Sequence, residues 1–103
     1  MNWENISAEV LDALQEQLGK DWPRMKNAAV IFLQQRHSRL VKLYELYHSG
    51  SIDKKFLQLR LFEEEGLLRA EWNALAITTQ ASIRRATRAA FKVLSGAILK
   101  AIL

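Results

Sequence analysis

Apolar residues fall at helical intervals along almost the whole chain. Val10, Leu11, Leu14 and Leu18 recur three and four positions apart, the spacing that gathers side chains on one face of an α-helix. A helix over about residues 8–18 is expected. Ser7 is placed to cap it, Glu9 stands in its first turn, and Gly19 follows as a terminator.

A longer stripe begins at Trp22 and runs through Met25, Ala29, Phe32, Leu33, Leu40, Leu43, Tyr44 and Tyr47. Asp21 can cap this second helix. Pro23 suits the first turn, where its missing N–H costs nothing. The helix is expected to span about 22–48 and to stop at Ser49-Gly50. Gly50 supplies a left-handed residue, Ser51 or Asp53 can cap the next helix, and Ile52 can pack onto Phe56. So short a connection makes the second helix and a third, over about 52–78, antiparallel neighbours.

Beyond that hairpin the stripe continues through Leu57, Leu61, Leu68, Trp72, Leu75, Thr79, Ile83, Ala86, Ala90, Leu94 and Ala97. From Leu68 its members recur at eleven, close to the period of a straight helix. A matching antiparallel partner of the second helix would end near Thr78. Residues 79–103 therefore either continue the third helix and project, or fold back after Thr78-Thr79 as a fourth. The first helix, at three turns, looks too short to cover such an extension as well as the second helix. The expectation is an all-α fold: an antiparallel hairpin with a short N-terminal and a long C-terminal helix, three to four helices in a bundle, as one domain over 1–103.

Composition agrees with a folded helical chain. Half of the 103 residues are hydrophobic and a quarter are charged, with four glycines, one proline and no cysteine. The absence of cysteine excludes a disulfide scaffold and thiolate metal sites. The start MNWENISAEVLDALQEQ lacks the apolar core of a signal peptide. No run approaches the ~18 apolar residues of a membrane span. A cytoplasmic protein is expected.

The net charge of +4 is unevenly distributed. Up to Gly50 six basic residues face six acids, whereas the second half holds nine against five, and no acid follows Glu71. Arg84, Arg88 and Lys92 stack at four-residue spacing, with Arg85 beside them. Such a band can meet phosphates of a nucleic acid or an anionic lipid surface.

Catalytic signals are weak. Glu45-Leu-Tyr-His48 has the E-x-x-H spacing of carboxylate-bridged metal bundles, but Glu45 falls away from the apolar stripe. His48 sits in a last turn, where a histidine meets free carbonyls. His37 and His48 share a stripe yet lie more than two turns apart, too far to bind one ion directly. The acids of FEEEGLLRAEW read as a solvated face, with Glu65–Arg69 as an i, i+4 pair. No phosphate loop, catalytic triad or zinc spacing is present. The chain reads as a non-enzyme without cofactor or metal.

Three functions compete for the C-terminal segment. The leading one is an interface helix: a self-associating assembly or adaptor protein, a dimer being favoured, that also docks a protein partner. Its contact would be Ile83, Ala86, Ala90, Phe91, Leu94, Ala97, Ile98 and Ile102, where the alanines permit close approach and the large residues supply burial. The second is a nucleic-acid-binding protein using Arg84, Arg85, Arg88 and Lys92. The third is a membrane-surface helix, with Phe91, Leu94, Ile98 and Ile102 inserted and the cations turned away.

Overall fold

The three apolar stripes become four α-helices. The computed structural model describes residues 2–100: α1 spans Trp3–Leu18, a 3-10 turn Gly19–Asp21, α2 Trp22–His48, α3 Lys54–Leu75 and α4 Gln80–Lys100. No strand occurs among the described residues, so the all-α expectation is met. Met1 and residues 101–103, including the expected interface residue Ile102, lie outside the described residues.

α1 starts five residues earlier than expected. Asn2, rather than Ser7, is its cap, and the Asn2 side chain accepts from the Asn5 N–H at 3.2 Å. Glu4 then occupies the first turn, and Ile6 joins Val10, Leu14 and Leu18 on the buried face. Gly19, at φ +51°, ends the helix.

Asp21 precedes α2 but makes no capping bond. Its carboxylate is used across the fold: it accepts from the Thr78 hydroxyl at 2.7 Å and pairs with Arg24. That contact ties the start of α2 to the α3–α4 connection. The hydrogen bond from Thr78, and then that from Arg24, holds the Asp21 carboxyl below the usual carboxylate range.

Gly50 adopts φ +81° between α2 and α3. Asp53 caps α3, accepting from the Phe56 N–H at 2.8 Å. Residue numbers rise along α2 as they fall along α3: Phe32 meets Trp72 edge-on, Arg36 reaches Glu71, and Arg39 reaches Glu64.

At the centre of this seam lie two charges that the stripes skip. Glu64 is only 3% exposed and is held between Arg36, itself largely buried, and Arg39. Arg39 Nη1 donates to Glu64 Oε1 at 2.8 Å, Arg36 Nε stands 3.3 Å from Oε2, and Arg36 Nη2 donates to Glu71 at 2.8 Å. The expectation of a wholly solvated acidic run fails at Glu64, which occupies a core position of α3 beside Leu61 and Leu68. Glu65 does pair with Arg69.

α3 ends at Leu75 because Ala76 turns left-handed, at φ +53°. Thr79 then starts α4 by accepting from the Ser82 N–H at 3.1 Å. The eleven-residue stripe is therefore shared by two helices, and α4 folds back. The longest dimension of the chain is 40 Å, which α2 fills alone at 1.5 Å per residue. α4 packs most extensively on α1 and next on α3. α1 is long enough to cover α4 because it gains more than a turn at its N-terminus. The core is continuous: Phe32 of α2 lies 6.1 Å from Trp72 of α3 and 5.9 Å from Phe91 of α4, centroid to centroid.

Two expectations follow from these contacts. Removing one partner of the buried pair, as in Glu64→Leu, leaves Arg36 with only the half-exposed Glu71 and is expected to cost roughly 1–3 kcal/mol in urea unfolding, whereas Arg36→Met with Glu64→Leu recovers most of the loss. Because the folded carboxyl of Asp21 titrates below its unfolded value, its contribution is fully present above about pH 4 and is lost as pH falls through the lowered folded value. Asp21→Asn should remove that part of the acid-side stability loss, read as a shallower fall of the urea midpoint between about pH 4 and pH 2.

Candidate interaction surfaces

The residues expected to form an interface on α4 form the inner wall of the bundle instead. Ile83, Ala86, Ala90, Phe91, Leu94 and Ile98 are all buried, and Ala97 is partly buried against the same cluster. The reason is the reversal at Ala76: once α4 folds back, its apolar stripe meets α1, α2 and α3. At roughly 1.5–3 kcal/mol for each fully buried large side chain, this internal contact uses the apolar surface that a projecting helix would have offered to a partner. The same burial removes the apolar face that a membrane-surface helix needs, since Phe91, Leu94 and Ile98 point inward. No helix of the described residues is long and apolar enough to cross a membrane.

The end of α4 is pinned by the histidine at the end of α2. His48 Nε2 lies 2.8 Å from the Ile98 carbonyl oxygen. A carbonyl only accepts, so Nε2 carries the hydrogen, while Nδ1 is buried without a partner. Glu45 is exposed on another side of α2, so the E-x-x-H residues do not converge. Among the described residues no group of three or more histidines and carboxylates is placed to hold a metal. His37 is remote from this point and stacks on Trp3, with ring centroids 4.5 Å apart.

The basic band is where the sequence put it. Arg84, Arg85, Arg88 and Lys92 are all exposed along the outer side of α4. Arg85 donates to Ser82 at 3.2 Å. No carboxylate pairs with any of the four among the described residues. Beside them, α3 and α4 enclose a groove of about 300 Å³ lined by Leu61, Phe62 and Phe91, with Arg88 and Lys92 on one lip and Gln58 on the other. Glu65, which also lines it, is occupied by Arg69.

A second surface was not anticipated. The outward side of α3 carries Phe56, Leu59 and Leu67 at 48%, 53% and 53% exposure, with Gly66 and Ala70 also exposed among them. These positions lie within about 100° of one another around the helix. Phe62, 70% exposed, is turned from that side toward the α4 groove. A signal was present in the sequence. In α3 the apolar residues exceed what one buried stripe can hold, and Phe56, Leu59, Phe62 and Leu67 fall outside the stripe of Leu57, Leu61, Leu68 and Trp72.

No protein-family model, curated protein or solved structure matches this chain.

The internal position of α4 makes a direct prediction. Ile98→Asp places an unpaired charge in the core and is expected to destabilise the fold by roughly 3–5 kcal/mol. The readout is a lowered thermal midpoint, with the loss of stability independent of protein concentration.

Proposed function

We propose that this protein is a non-enzymatic helical assembly protein that self-associates through the outward face of α3. The observation that supports this is the exposed apolar surface of Phe56, Leu59 and Leu67. A contiguous patch of this kind marks an interaction site. A two-fold contact between copies is the commonest way to cover one. The expected self-association is kept and moved from α4 to α3.

Charge supports a second copy as the occupant. The first half of α3 carries Lys54, Lys55 and Arg60, and the rest carries Glu63 and Glu71 on or beside the exposed side. Two antiparallel α3 helices with their axis at Glu63 lay the basic first turns of one copy along the acidic later turns of the other, where Glu71 stays paired with Arg36. The same register sets Phe56 over the small Ala70, and Leu59 over Leu67. Glu63 at the axis keeps Arg60 as its neighbour at 3.4 Å.

The non-enzymatic part of the reading has its own support. The carboxylates of the α2–α3 seam are committed to arginines, and the histidines are committed to a backbone carbonyl and a tryptophan ring. Among the described residues no hydroxyl is hydrogen-bonded to a histidine, the pairing that most often activates a nucleophile for group transfer. Docking of a further protein partner on the small apolar seam at Ile31 and Leu75 is compatible with this assembly role.

Sedimentation equilibrium at micromolar concentration tests the reading. A dimer mass is expected, and Leu59→Asp with Leu67→Asp should weaken association by about 30-fold or more while leaving the helical circular dichroism unchanged. A native chain that remains monomeric up to about 100 μM would overturn it.

A further inference from the structure

We propose that the groove between α3 and α4 binds single-stranded nucleic acid, with Arg84, Arg85, Arg88 and Lys92 meeting phosphates and Phe62 stacking on a base. This site lies on a different face from the proposed self-association surface and does not depend on it.

The electrostatic half of the site differs from the other arginines of the chain. All five arginines outside α4, Arg24, Arg36, Arg39, Arg60 and Arg69, have a carboxylate within reach. The four cations of α4 have none among the described residues, and no acid follows Glu71 in the sequence. Arg84, Arg88 and Lys92 are separated by one helical turn each, about 6 Å along the axis, and form a row rather than a cluster. A row suits a linear polyanion.

The aromatic half comes from another helix. Among the described residues Phe62 is the most exposed of the large apolar side chains, at 70%. It stands on the same groove as Arg88 and Lys92. A phenyl ring beside a cationic track is the pairing by which single strands are held without sequence preference, since every base offers a π-face. Duplex would satisfy the cations but leave Phe62 without a base to stack on. An anionic membrane would also satisfy the cations. It would then need insertable apolar residues along the same face of α4, where Phe91, Leu94 and Ile98 are already inside the bundle.

Fluorescence anisotropy with a labelled oligothymidylate of about twenty nucleotides tests this, with a duplex of equal length, heparin and vesicles containing about 30% anionic lipid as comparisons. Four phosphate contacts predict a slope of log affinity against log salt near −2.8, hence a loss of about 50-fold between 50 and 200 mM salt. Arg84→Gln with Arg88→Gln should bring the slope to about −1.4. Phe62→Ala should weaken oligothymidylate binding by about 5- to 100-fold with the slope unchanged. The three positions are exposed, and circular dichroism of the variants verifies the fold. Absence of binding at 50 mM salt overturns the proposal. Binding that Phe62→Ala leaves unaltered, or that is as tight for duplex, heparin or vesicles, overturns it in favour of a general anionic surface. Sedimentation of the Arg84→Gln, Arg88→Gln variant should match the native chain, so failure here leaves the self-association reading standing.

Discussion

The packing of α2 on α3 turns on a buried charge that has one place to go. Arg36 and Glu64 interrupt the apolar stripes of their helices, and each would be costly to bury alone. Opposed, they neutralise one another, while Arg39 donates to Glu64 and Arg36 donates to Glu71. A slip of one turn along the seam would bury the guanidinium against leucine and the carboxylate against phenylalanine. The pair thus selects a register more than it adds stability, because desolvating both ions offsets much of their attraction. With that register set, Phe32 meets Trp72, and the two rings form the floor on which Phe91 of α4 lands.

The return of α4 depends on events at both of its ends. At the start, Ala76 reverses the chain, Thr79 caps the new helix, and Thr78 binds Asp21 at the head of α2. At the finish, His48 donates to the Ile98 carbonyl. Both ends of α4 are therefore tied to the two ends of α2, although α1 and α3 supply most of its packing. The hydrogen bonds set position along the axis, and the apolar stripe sets rotation about it. Each contact is a modest contribution by itself. They matter because dispersion and burial along α4 tolerate sliding, whereas a hydrogen bond does not.

Much of this was legible in the residues. The bounds of α2 and the punctuation at Gly50 and Asp53 follow from capping and glycine conformation, which are local. The Arg36–Glu64 contact was legible too, though only by comparing two stripes. Each stripe skips one core position, the two skipped residues have opposite charge, and each stands fourteen residues from Gly50. The break before α4 was harder to see. Ala76 has no intrinsic preference for a left-handed conformation, and the eleven-residue stripe runs through it unbroken. What decides there is tertiary: folding α4 back buries the apolar stripe that a projecting helix would leave in water. The candidate surfaces divide in the same way. The basic band was read from spacing alone. The aromatic beside it, Phe62, comes from a helix whose position requires knowing that α4 folds back.

The two outward surfaces have a common origin in that fold-back. α3 is wedged between α2 and α4, so its buried stripe is satisfied on two sides, and any further apolar residue must face out or flank a neighbour. Leu59 and Leu67 face out, and Phe62 flanks α4. α4 has the opposite composition, with most of its apolar residues turned in, Val93 and Leu99 only partly buried, and its outer side dominated by cations, small residues and polar groups. One side of the bundle thus offers apolar area with charges of both signs, which suits a copy of itself. The adjacent side offers unpaired positive charge edged by one ring, which repels a copy of itself and suits a polyanion. A helix bundle this small has few faces to allot, and with the two chemistries on separate faces the proposed self-association would leave the cationic track open.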